Sequence, residues 1–75
     1  MIEEGVIVEP YAIVNTRAVI KKGAIISVGA IADHDVIIGE YAHVNAGSVC
    51  MSGSTVQAFE KVDAGEVKRN IQVGE

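Results

Sequence analysis

Apolar residues recur every six positions along this chain. Ile2, Val8, Val14, Ile20, Ile26, Ala32, Ile38, Val44, Cys50 and Val56 form one register, and eight of these ten are Ile or Val. Four residues after each of the first nine stands a second register: Val6, Ala12, Ala18, Ala24, Ala30, Val36, Ala42, Ser48 and Ser54. All of these are Ala, Ser or Val. A sustained period of six matches neither the 3.6 of a helix nor the simple alternation of a free amphipathic strand. It marks a repeat whose units stack as a solenoid.

The period dictates a geometry. In a stretch such as Ala18-Val19-Ile20, alternate side chains of a strand face opposite ways, so Ala18 and Ile20 point inward and Val19 outward. The next three residues, Lys21, Lys22 and Gly23, must turn the chain. Three such turns close a triangular coil of about 18 residues, the hexapeptide form of the parallel β-helix. The inward corner takes a large aliphatic residue, and the neighbouring inward site, crowded by the coils above and below, takes a small one. Six of the eight glycines (Gly5, Gly23, Gly29, Gly47, Gly53, Gly65) share the fourth hexad position. A turn with positive φ belongs there. The expected fold is therefore all-β, a parallel β-helix of about three coils.

The outward position is unexpectedly apolar: Ile7, Ile13, Val19, Ile25, Ile31, Ile37. Such a stripe predicts an interface, and a homotrimer suits a three-sided prism. After Val56 the small register fails, with Glu60 and Glu66 at sites that were Ala or Ser, while Val62 keeps the corner. This divides the chain into a β-helix over 1–56 and, over 57–75, a degenerate last coil followed by a tail or cap, rich in charge at Lys61, Lys68, Arg69 and Glu75. A cap would cover the open sheet edges of a solenoid end.

Composition narrows the function. The chain has 75 residues, enough for one small domain, and a net charge of −4, which gives no nucleic-acid footprint. No apolar run reaches the ~18 residues of a membrane span. Met1-Ile2-Glu3-Glu4-Gly5 lacks the basic start and apolar core of a signal peptide. The only cysteine, Cys50, falls on an inward site and reads as a small buried hydrophobe. These features point to a cytoplasmic protein.

The two histidines stand where the pattern breaks. His34 lies in Asp33-His34-Asp35, in the turn of a hexad whose corner shrinks to Ala32. His43 replaces an aliphatic residue of the outward stripe, at the site that is Ile25 one coil earlier. Local rules break where function intrudes. A carboxylate on one ring nitrogen fixes the tautomer and raises basicity at the other, as a general base requires. Sequence neighbours can do this only if the turn folds one of them back; a partner from another coil or subunit would serve equally.

The segment IISVGAIADHDVIIGEYAHVNAGSVCM, from Ile25 to Met51, resembles the hexapeptide-repeat acyltransferases. It is most similar to their sugar O- and N-acetyltransferase group, typified by the sialic acid O-acetyltransferases and the bacillosamine-pathway N-acetyltransferases. That group carries a His, an acidic residue, an apolar pair and Gly, then a second His nine positions after the first. Here these are His34, Asp35, Ile37-Ile38-Gly39 and His43, followed by Val44, Asn45, Ala46 and Gly47. The resemblance implies a left-handed coil and an acetyl-CoA-dependent transfer to an amine or hydroxyl of a sugar or sugar nucleotide. It implies His34 as the catalytic base and Asp35 as its helper. His43 would line the acyl-donor pocket between neighbouring subunits of a trimer, with Asn45 and Gly47 beside it. In such a transfer a turn or backbone N–H near Gly47 could steady the oxyanion, and no metal is expected. Three features depart from the group: Ser27 stands where it often has Asn, the group's N-terminal nucleotide-sugar-binding domain is missing, and its further coils are missing. A truncated, fragmentary or minimal member is therefore expected.

Two other functions compete. A zinc enzyme like the γ-class carbonic anhydrases would need three protein ligands, so Asp33, Asp35 or Cys50 would have to join the histidines, and the spacing differs from that family. A non-catalytic trimeric scaffold would keep the histidines only as remnants.

Overall fold

Each hexad contributes one short strand, and each strand pairs with the strand one coil away. A computed structural model describes residues 1–70 and contains eleven strands and no helix. They are β1 (Ile7–Val8), β2 (Ile13–Val14), β3 (Val19–Ile20), β4 (Ile25–Ile26), β5 (Ile31–Ala32), β6 (Ile37–Ile38), β7 (His43–Val44), β8 (Val49–Cys50), β9 (Thr55–Val56), β10 (Lys61–Val62) and β11 (Val67–Lys68). All pairings are parallel with an 18-residue register: Ile7 lies beside Ile25, Ile25 beside His43, and His43 beside Lys61. The strands form three faces, β1-β4-β7-β10, β2-β5-β8-β11 and β3-β6-β9. The chain is thus a parallel β-helix. Its four-residue turns form three edges between the first, second and third faces.

The core follows the two registers. Ile20, Ile26, Ala32, Ile38, Val44, Cys50, Val56 and Val62 are fully buried, with Ala24, Ala30, Val36 and Ala42 between them. Burial pushes the Cys50 thiol up to about 11, so it behaves as a small hydrophobe. The outward stripe separates into three columns. Only the second face keeps it aliphatic in all its strands, as Ile13, Ile31, Val49 and Val67. On the first face it reads Ile7, Ile25, His43, Lys61.

The turns repeat one backbone conformation. All eleven residues at the fourth hexad position from residue 5 to residue 65 have positive φ, and five of them are not glycine: Tyr11, Arg17, Asp35, Tyr41 and Phe59. A side chain there costs backbone strain. Two of the five offset it by stacking: the rings of Tyr41 and Phe59, one coil apart, lie 5.5 Å apart at 17°. Arg17 and Asp35 are also one coil apart, and they pair by charge.

The coil runs on past Val56, because Lys61 pairs with His43 and Val67 with Val49 in the same register. Its small-register sites, Glu60 and Glu66, are now charged, while Val62 keeps a buried corner. The Glu60 carboxylate accepts from the Gln57 N–H at 2.9 Å and pairs with the Lys68 ammonium at 2.5 Å. Glu66 likewise turns back onto the Asp63 N–H at 2.8 Å. The partly buried Glu60 and Lys68 cover the end of the core with polar atoms, while Glu66 stays exposed. Residues 71–75, which belong to the tail or cap expected from the sequence, lie outside the described residues. No helix among the described residues is long and apolar enough to cross a membrane.

The cap makes stability depend on acid. Burial raises the Glu60 carboxyl's affinity for a proton, but the Lys68 ammonium and the Gln57 N–H outweigh it, so the group sits below its usual range. A carboxylate lowered in the folded state contributes stability above its unfolded pKa of about 4.3 and loses it as pH falls through the folded value. Melting temperatures measured from neutral pH to about pH 3 should therefore fall more steeply for the parent than for Glu60→Gln. Parallel curves would show that the pair adds nothing.

Candidate functional site

Turn 33–36 joins β5 to β6 at the edge between the second and third faces. Asp33 opens it: its Oδ1 accepts the His34 N–H at 2.7 Å and an Asn15 side-chain N–H, from one coil away, at 3.1 Å. The backbone is tied to both neighbouring coils, with Asp35 N–H donating to Thr16 O and Gly53 N–H to His34 O, each at 3.1 Å. The left-handed backbone of Asp35, φ 61°, then folds its carboxylate back towards the preceding side chain. Of the two acids flanking His34, Asp33 therefore shapes the turn and Asp35 meets the ring.

His34 Nδ1 lies 2.8 Å from Asp35 Oδ2. An ionised carboxylate only accepts, so Nδ1 carries the proton and Nε2 carries the lone pair. Among the described residues nothing hydrogen-bonds to that Nε2, and the imidazole is about half exposed, at 48%. Asp35 has a second partner that the sequence reading missed. Arg17 Nε donates to Oδ1 at 2.7 Å and Nη2 donates to Oδ2 at 2.9 Å. The Arg17 hydrogen bonds, and then the one from His34, hold the Asp35 carboxyl well below the usual carboxylate range. The signal was present in the sequence: opposite charges 18 residues apart, both standing where the repeat favours glycine.

His43 lies elsewhere. It is on β7, in the middle of the first face, with Ile25 and Lys61 beside it. Its Nε2 shares a hydrogen bond of 2.8 Å with Oγ of Ser27, itself buried. Nine residues are half of an 18-residue coil, so the second histidine must fall on the face opposite the edge that bears the first. Within one chain the two imidazoles cannot address the same atom.

Asn45 and Gly47 sit beyond β7 in turn 45–48, on the edge between the first and second faces. Both are engaged with the backbone: Asn45 Nδ2 donates to Val62 O at 2.8 Å, and Gly47 N–H donates to Val28 O at 3.0 Å. Gly47's own N–H is thus not free to meet an oxyanion. A concavity at the end of the coil, lined by Ser54, Thr55, Glu66, Lys68 and Arg69 among others, contains none of the five site residues. Among the described residues no three His, Cys, Asp or Glu side chains of one chain gather as a metal ion would require. Chemically, the arrangement offers one outward-facing base held by an ionised acid, and a second histidine on the far side of the coil. No protein-family model matches this chain.

Proposed function

We propose that this β-helix is an acetyl-CoA-dependent acyltransferase, or part of one, acting on an amine or hydroxyl of a sugar or sugar nucleotide. The observation that carries the reading is the His34–Asp35 pair, whose fixed tautomer leaves Nε2, on a half-exposed ring, without a partner among the described residues. In the reaction His34 Nε2 takes the proton from the acceptor N–H or O–H as that atom attacks the thioester carbonyl carbon. The tetrahedral adduct collapses, the C–S bond breaks, and the imidazolium returns the proton to the leaving thiolate. The acceptor gains the acetyl group and the coenzyme leaves as the free thiol. Asp35 keeps the ring oriented and stabilises the imidazolium formed on the way.

The separation of the two histidines supports a site built between copies. With His34 on an edge and His43 on the opposite face, a donor held by His43 of one subunit can meet only another subunit's base. The all-aliphatic column Ile13, Ile31, Val49, Val67 ends at the edge that bears His34. Packing that face against a neighbour's first face would bring the two histidines together and bury the column in a homotrimer.

Calorimetry with acetyl-CoA, on protein whose mass has been fixed by light scattering, tests this reading. The expected result is a trimer with saturable binding that weakens severalfold in His43→Ala, followed by acetyl transfer to an amino-sugar acceptor. A folded trimer that binds no acetyl-CoA would overturn it in favour of a non-catalytic scaffold.

A further inference from the structure

We propose that Arg17 is a positioning residue of this site: it clamps Asp35 so that the carboxylate holds His34 as the Nδ1–H tautomer. The inference rests on the reading of His34 as the base for its catalytic meaning, but the clamp itself is a property of the resting protein. Three observations carry it. Arg17 grips both carboxylate oxygens through Nε and Nη2, which fixes the plane of the group and not merely its charge. Asp35 Oδ2 is shared by Arg17 Nη2 and His34 Nδ1, so any rotation of the carboxylate that frees one breaks both. Finally, Arg17 and Asp35 both keep the left-handed backbone, at φ 57° and 61°, where the same turn in the next coil has Gly53.

Stability does not account for that strain. Both side chains are largely exposed, at 67% and 43%, and ion pairs so placed contribute little. The other pair of non-glycine residues in one column, Tyr41 and Phe59, is held instead by ring stacking. Strained backbone kept for an exposed ion pair is expected where the pair holds a functional group in place. Without Arg17, Asp35 would be free to turn towards water, and the imidazole could rotate or exchange its proton between the two nitrogens.

The test is the ring nitrogen NMR of His34, recorded at a pH where the imidazole is neutral, on the full chain and on Arg17→Met, Arg17→Lys and Asp35→Asn. The parent is expected to show a protonated Nδ1 and an unprotonated Nε2. In Arg17→Met the ratio of Nδ1–H to Nε2–H forms should fall severalfold at an unchanged melting temperature. Arg17→Lys should recover it only in part, because an ammonium cannot make the two-pronged contact. Asp35→Asn should match or exceed the Arg17→Met effect. An unchanged tautomer ratio in folded Arg17→Met would overturn the clamp. If the ratio shifts in a protein that transfers no acetyl group, the clamp stands and only the enzymatic reading fails. If transfer is found, Arg17→Met should lower kcat with little change in acceptor KM.

Discussion

Replacing His34 by glutamine is expected to lower acetyl transfer by roughly 10²–10⁴-fold, the usual weight of a positioned general base. The fold should survive. The turn is held by the backbone N–H and C=O of residue 34, through Asp33 Oδ1 and Gly53 N–H, and neither contact uses the imidazole. The melting temperature should stay within about 4 °C of the parent, the span of an ordinary surface substitution in a domain of this size. Glutamine can still face Asp35 through its amide but has no lone pair basic enough to take the acceptor's proton. The pH profile sharpens the expectation. Asp35 stays ionised well into acid because Arg17 and His34 both donate to it. Protonation of Asp35 should therefore add no step to the acid limb of the parent's activity. A folded His34→Gln protein retaining more than about a tenth of the activity would remove this residue from the chemistry.

Gly39→Ala should give the largest loss of stability. Gly39 is buried in the turn after β6, in the stretch between the two histidines. A methyl group there would lie 2.4 Å from the Ala58 nitrogen, 2.7 Å from the Gln57 carbonyl carbon and 2.9 Å from Ala58 Cα. These are backbone atoms of the next coil, so no side chain can swing away. Overpacking costs about 1–3 kcal/mol where neighbours can yield, and this site belongs at or above the upper end. For a domain this small that corresponds to a fall in melting temperature of roughly 12–24 °C. Gly29→Ala is the internal control. Its φ of +68° makes a side chain strained, but a methyl group would meet nothing within 4 Å. It should lose only about 1–2 kcal/mol. Equal melting temperatures for the two variants would mean that the coils can spread apart at Gly39, contrary to the contact described.

Much of the architecture is readable before any coordinates. A six-residue repeat carries its own geometry, because each hexad must supply two inward side chains, one outward side chain and a turn. Stacking identical hexads then sets the partner of every residue at 18 positions on. The inward sites Ile20, Ile26, Ile38 and Val44 and the turn glycines such as Gly23 and Gly47 follow from that alone. So does the opposition of His34 and His43, since nine residues are half a coil.

The site depended on what lies between coils. Asp33 and Asp35 are equivalent neighbours of His34 in the sequence. Only the left-handed backbone at Asp35, and the Arg17 side chain one coil away, decide which acid holds the ring. Ser27 and His43 likewise meet across coils, 16 residues apart in sequence. At the end of the described coil, Glu60 breaks the small register as a sequence, yet folds back onto Gln57 N–H and Lys68 and closes the core. The sequence by itself determined the coil, its registers and the candidate histidines, because a short period fixes backbone direction locally. The tertiary structure alone decided which polar groups join, because side chains from separate coils meet only after the chain has wound back on itself.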